Sequence, residues 1–476
     1  MISRLPQALF ALTICLALLC VGVSYCDAQE AVTPTTHHHY TLIDLGTLGG
    51  RQSYLNFYAQ VLNRHGMIAG FADTPAGDPH FPNFDSCANP DCLVSHAIVR
   101  RNGIVTDLGA LTPDTSSAAL WVSDSGMVAG VSGNGLTDPL LGVPEIRGVL
   151  WKDYQINDLG TLGGNESFAT AVNSRGTVVG VAANGIPDDF SFFGWGTQAR
   201  AFAWRNGAMR DLGTLGGPDA FAVIINDRGQ IAGNSYTDST PNPTTGIPTV
   251  DPFLWQDGRI VDLGTLGGTF GVVNAMNLRG QVAGDSNLVG DNASHPFLWD
   301  GERMIDLGSF GGNFGDVTAM NDSGDVVGSM NLAGDDMWHA FFWHNGTLTD
   351  LGTLDKCSTA WGINNRGQIV GGTGDCGVPV HAVLWEKGRI INLTSLVPPH
   401  VQLTYALNIN ERGEIAALGR VEGDGDNGVE HAFLLIPGTE PASAEAAVAL
   451  SAPASKEFKS RFRLRTPINP FQASHE

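Results

Sequence analysis

One motif, repeated along most of the chain, limits the possible folds more than any other feature. Asp-Leu-Gly recurs at Asp44, Asp107, Asp158, Asp211, Asp262, Asp306 and Asp350, and an eroded copy follows at Asn392-Leu393-Thr394. The steps between copies are 63, 51, 53, 51, 44, 44 and 42 residues. A second block, Asn-x-x-Gly-x-aliphatic-Val/Ala-Gly, starts at Asn63, Asn173, Asn226, Asn277, Asn321, Asn364 and Asn410, with Ser123 in the second copy. A third block reads His-Ala-Phe-Leu-Trp or a variant of it. It ends at Trp151, Trp204, Trp255, Trp299, Trp343 and Trp385, with Arg100 and Leu435 in the first and last copies.

Each block converts into short β-strands. The runs are rich in Ile, Val, Thr and aromatics, and they are punctuated by Asn, Asp and Gly at hairpin positions. No 3.6-residue period is sustained for more than two turns, so helices should be nearly absent. Four antiparallel strands per unit of about 40–50 residues is the pattern of a β-propeller blade. The fold class expected is therefore all-β, a propeller of four-stranded antiparallel blades. The chain opens on an Asp-Leu-Gly strand with no partner before it and ends on a third-block strand with none after it. The N-terminal strand can thus complete the last blade, giving eight closed blades and no exposed sheet edge. Seven blades with one irregular insertion, or an open solenoid, are the alternatives.

The motifs resemble those of the HAF-repeat family of bacterial extracellular proteins. His-Ala-Phe stands at 339–341 and 431–433, with looser forms at 295–297 and 381–383, and Asp-Leu-Gly-Thr-Leu-Gly-Gly accompanies them. The resemblance covers roughly residues 40–436 and implies export and a repeat architecture. It carries no catalytic residues with it.

The two ends have different compositions. Residues 1–28 read as a signal peptide: Arg4, an apolar run over 8–23, and Ala28 at the cleavage position. Residues 29–39 are a lead-in, 40–436 the propeller, and 437–476 an Ala/Pro/Ser-rich linker with a short basic tail. Cleavage would leave Cys87, Cys92, Cys357 and Cys376, an even count that in an exported chain reads as two disulfides. The expected location is secreted, periplasmic or cell-surface. Membrane contact would come only through an uncleaved signal or the basic tail, and a monomer is expected.

Charge narrows the partners. The formal net charge is −22, so bulk electrostatics disfavour nucleic acid. No glycine is followed directly by lysine, and no Gly-x-Ser-x-Gly or His-Glu-x-x-His occurs. No cofactor, metal or catalytic residue is assigned. The recurring His residues read as structural, as does the Trp series.

Meander topology places the short turns on one face and the variable loops, at 71–95, 131–146, 181–199 and 234–250, on the other. Function tends to sit on such loops. The candidate ligand residues there are Asp85, Asp188, Asp189, Phe190, Phe192, Phe193, Trp195 and Tyr236. Rings beside carboxylates suit a glycan or protein ligand, the alternative being that the rings pack the loop onto its blade. The expected function is a secreted binding or scaffold module. The alternatives are an exported polysaccharide hydrolase or lyase using Asp188 and Asp189, or a structural cell-surface protein.

Overall fold

A computed structural model describes residues 39–79, 93–243, 245–421 and 429–438. Its strands group in fours, each group an antiparallel meander. The third unit is representative, with strands Ser167–Val172, Val178–Pro187, Thr197–Arg205 and Ala208–Asp211 paired in that order. Single parallel bridges, Val250 to Phe270 and Ser294 to Phe314, join three of the groups edge to edge. The only helical element among the described residues is the 3₁₀ turn Leu393–Leu396.

The fold is a β-propeller, and it closes on itself. Strand His39–Asp44 pairs antiparallel with Val429–Gly438 and becomes the fourth strand of the last group. Each sheet has two apolar faces, and each face packs on the next unit. The leucine of Asp-Leu-Gly meets the aromatic of the following third block: Leu159 lies with Phe202, Leu212 with Phe253, Leu307 with Phe341, and Leu393 with Phe433. The same contact closes the ring, where Leu45 shares a cluster with Ile98 of the first unit. Phe202, Phe253, Phe297, Phe341 and Phe433 are fully buried. Truncating one of them would cost about 3–5 kcal/mol.

The motif residues also make the polar joints. The Asp-Leu-Gly aspartate accepts from the glycine N–H two residues on, at 2.7–2.8 Å in Asp44, Asp107, Asp158 and Asp306. It also meets the residue eleven positions earlier on the neighbouring strand. His96, His295 and His339 approach Asp107, Asp306 and Asp350 at 3.1, 2.9 and 2.8 Å, and Arg200 approaches Asp211 at 3.0 Å. Across the closure, His431 meets Asp44 at 2.8 Å.

One expectation changes in detail. Strands Ile68–Gly77, Val128–Thr137 and Val178–Pro187 run well into the segments read as loops, so the true connections are shorter. The Cys357–Cys376 disulfide is present. Cys87, Cys92 and Asp85 lie outside the described residues, as do the leader and the tail.

Candidate functional site

On the short-turn face, the second block forms a belt of asparagines. Each Asn Oδ1 accepts from the backbone N–H groups two and four residues on, as Asn173 does from Arg175 and Thr177 at 3.1 Å each. Each Nδ2 donates to the backbone carbonyl of the equivalent residue in the next unit. The series runs Asn173 to Asn226, Asn277, Asn321, Asn364 and Asn410, at 3.0–3.3 Å. Asn410 then donates to Asn63, and Asn63 to Ser123, where the series stops. Ser123 has no amide to pass on, and its hydroxyl turns to Ser125 and Met127 instead.

Inside this belt lies a cavity of about 230 Å³, walled by Trp121, Ile224, Met276, Met320 and Ile363. It is rimmed by Asp124, Asp227, Asp322 and Glu411. Those carboxylates are already engaged. Each accepts from a main-chain N–H of the preceding unit, at Arg64, Ser174, Leu278 and Asn365.

Deeper in the channel the first unit departs from the repeat. Tyr54 and Asp316 hold the same place, each with its carbonyl over a second-strand glycine. Tyr54 precedes Asn63 by nine residues, whereas Asp316 precedes Asn321 by five. The four extra residues carry Phe57 and Tyr58 into the central space. Phe57 stacks edge-on to Trp361 and Tyr405 at 5.1 and 4.8 Å. The Tyr58 hydroxyl donates to Asp316 at 3.2 Å, although the first and sixth units are not neighbours in the ring. Asp316 lies beside Asp285, and Asn274 donates to both. Burial, and then the neighbouring Asp316, raise the Asp285 carboxyl well above the usual range.

The long-loop face differs in charge. Among the described residues, the connections between second and third strands hold eight carboxylates and neither a lysine nor an arginine. The eight turns between first and second strands hold six arginines against six carboxylates. The net negative charge is therefore concentrated on one face. Lys356, one of the few cations near it, is paired with Asp375 at 2.7 Å beside the disulfide.

The sequence-predicted ligand residues separate into two sets. Phe192, Trp195 and Tyr236 are buried, Phe192 stacked on Tyr236 at 4.2 Å and Phe193 on Trp195 at 5.0 Å. These rings pack the 188–196 segment onto its blade and present no platform to a ligand, because the neighbouring unit's Phe221 covers them from the other side. The Tyr236 hydroxyl donates to the Phe190 carbonyl at 3.1 Å. Asp188 caps Phe190 N–H at 2.9 Å and lies against Asp219. Burial pushes the Asp219 carboxyl up to about 7, against two main-chain hydrogen bonds, from Phe192 and Ala199, that pull it down. Among the described members of the set, only Asp189 and Phe190 are exposed.

Sequence reasoning missed the outward-facing aliphatics. Strands two and three of the second and third units rise past the ring and end in the same turn. Leu136 N–H donates to Asn134 Oδ1 at 2.8 Å, and Ile186 N–H to Asn184 Oδ1 at 2.9 Å. Leu136 and Ile186 thus stand at equivalent positions, 58% and 53% exposed. Leu140 and Phe190 flank them at 64% and 40%. The repeated Asn-Gly-Leu and Asn-Gly-Ile, at 134–136 and 184–186, was the available signal.

No protein-family model matches the chain, and no curated protein does. Among solved structures, it is similar to the β-propeller domain of the Trilobed protease from Pyrococcus furiosus. The TM-score is 0.45 at 9% identity, over 73% of this chain and 100% of that one. It is also similar to TolB from Acinetobacter baumannii, with TM-score 0.32 at 9% identity, over 74% of this chain and 95% of that one.

Proposed function

We propose that this chain is a binding module, exported as the HAF-repeat resemblance implies, whose long-loop face holds a cationic protein segment. The observation that carries the reading is the charge division: eight carboxylates and no lysine or arginine among the described residues of one face's connections. A field of one sign on a rigid frame attracts and orients an oppositely charged partner. Exposed Leu136, Leu140, Ile186 and Phe190 add the apolar contact such a complex needs. Among the ligand classes considered, a protein fits these aliphatics better than a glycan does, because the rings that would stack on sugars are spent in packing. The leader read at 1–28 and the Cys357–Cys376 disulfide support export.

The geometry gives the hydrolase alternative little support. Asp188 is turned to its own loop and to Asp219, while Asp189 points outward, so the two carboxyls do not face one substrate.

The test is a binding panel of immobilised basic, acidic and neutral peptides beside neutral glycans, read by interferometry at 50 and 300 mM salt. Basic peptides with interspersed apolar residues should bind, with affinity falling at least tenfold at the higher salt. Salt-insensitive binding of a neutral glycan, or no preference for basic peptides, would overturn the reading.

A further inference from the structure

We propose that residues 456–465 of this same chain occupy the long-loop face, docking as an extended strand across Leu136 and Ile186. This rests on the reading of that face as a site for a cationic segment, and it names the segment.

The segment's own pattern is the first argument. From Phe458 onward the residues alternate strictly, with Phe458, Ser460, Phe462 and Leu464 on one side and Lys459, Arg461, Arg463 and Arg465 on the other. Side chains alternate across a strand with period two, so an extended conformation sorts this segment into an apolar edge and a basic edge. A helix would mix the two. The long-loop face offers the complementary pair of features: aliphatics raised at matching positions on two adjacent hairpins, within connections that hold carboxylates and no cation.

Reach is the second argument. The described chain ends at Gly438, which pairs with His39 at the short-turn end of the last unit. Residues 439–455 give 17 residues of connection, roughly 58 Å when extended. The strand to be passed, Val429–Gly438, has ten residues, or roughly 34 Å. The connection therefore passes the height of the last unit with roughly 24 Å left to cross towards the second and third units. The short-turn face is a poorer seat, because arginines and lysines nearly balance the carboxylates of its turns and the channel-rim carboxylates already hold main-chain N–H groups.

Docking in cis would make the module self-occupied. An outside partner would then have to displace the tail, whose effective concentration would be millimolar.

Carbodiimide coupling of the full chain tests this directly, because it joins Lys456 and Lys459 to carboxylates they touch. Coupling to Asp189, the exposed acid of the 184–199 segment, is expected in the monomer fraction. It should be lost when Arg461, Arg463 and Arg465 are replaced by Glu. Coupling only within dimers, coupling to short-turn acids such as Asp153 or Glu302, or no coupling at all would overturn the proposal. So would sedimentation of the full chain with phosphatidylserine vesicles that the same variant abolishes, which would assign the segment to a membrane surface. A synthetic peptide of residues 456–465, added to the Glu variant, separates the two levels. It should bind, and lose at least tenfold when Leu136 and Ile186 are both replaced by Asp. Peptide binding without coupling in the native chain would sink only self-docking; failure of the peptide to bind would sink the reading of the face as well.

Discussion

In the second strand of the first seven units, the glycine that ends the second block lies under a main-chain carbonyl of the innermost strand, and Ala417 stands at that place in the last unit. At Gly284 an added Cβ would stand 1.8 Å from the Val272 oxygen, and at Gly180 it would stand 1.9 Å from that of Phe168. The innermost strands carry a bulge just beyond, between Val273 and Ala275 and between Ala169 and Ala171. The second block ends in glycine because backbone, not a side chain, occupies the space. Gly284→Ala should cost about 3 kcal/mol, since neither strand can move without opening the bulge. Chemical denaturation, read as a fall in midpoint at constant slope, checks it. Glu166 illustrates the opposite case, a side chain the fold tolerates poorly. It is 4% exposed, and its Oε1 has no hydrogen-bond partner. Burial, then Asp138 and Glu145, push its carboxyl up to about 8. A raised acid binds its proton more tightly folded than unfolded, so stability falls as pH rises from about 4.5 towards 8. Glu166→Gln should therefore leave Tm unchanged at pH 4 and raise it by about 1–3 °C at pH 8.5. Equal shifts at both pH values would refute this account.

Between strands, stability depends on partners placed at fixed register, and one unit breaks the rule. The residue eleven positions before the Asp-Leu-Gly aspartate is His or Arg in most units, but it is Asp251 in the fourth, facing Asp262. Burial and Asp262 raise the Asp251 carboxyl to about 7, and its Oδ1 lacks a partner. Asp251→His should supply the missing donor and stabilise by about 1 kcal/mol. The gain should grow from pH 4 to 7, the range in which the native pair pays for losing its proton, as thermal melts across that range would show. This pairing was legible in the sequence as a constant spacing of eleven. It went unread because cross-strand register shows only when the turn between the strands is counted. The strand count, the hairpins and the closing role of the first strand were legible because each rests on local periodicity. The burial of Phe192 and Trp195 was not, since it depends on a cluster they share with Phe221 and Tyr236 of the neighbouring unit. Neither was the second use of the asparagine, because its amide donates to a unit some fifty residues away. Ser123→Asn tests that use: it should complete the belt by a bond to the Asn173 carbonyl and add about 1 kcal/mol. An unchanged denaturation midpoint would mean the belt is not cumulative.

At the scale of the whole molecule, closure makes the ends of the ring interchangeable with its turns. Residues 39 and 438 are register partners at the place where other units have a two-residue turn, such as Asn206-Gly207 between paired Arg205 and Ala208. The last junction is built like the others. Leu45, Leu418 and Leu434 pack with Leu55 and Ile98, and Asn410 donates to Asn63 at 3.0 Å. Nothing in the packing marks this blade as the seam. The seam is a property of connectivity alone, and the fourth strand of the last sheet is held by hydrogen bonds and packing rather than by a covalent turn. Linking 438 to 39 through Asn-Gly, with new ends opened in the Asp257-Gly258 turn, should therefore keep the fold. Asp257 and Gly258 both have positive φ there, at 51° and 81°, in the same kind of turn the new link would form. The permuted chain should show the same far-ultraviolet dichroism and a Tm within a few degrees of the parent. A permutant that is expanded or melts in two stages would show that the native seam does more than join ends, and that the order of strand addition is part of what makes the ring.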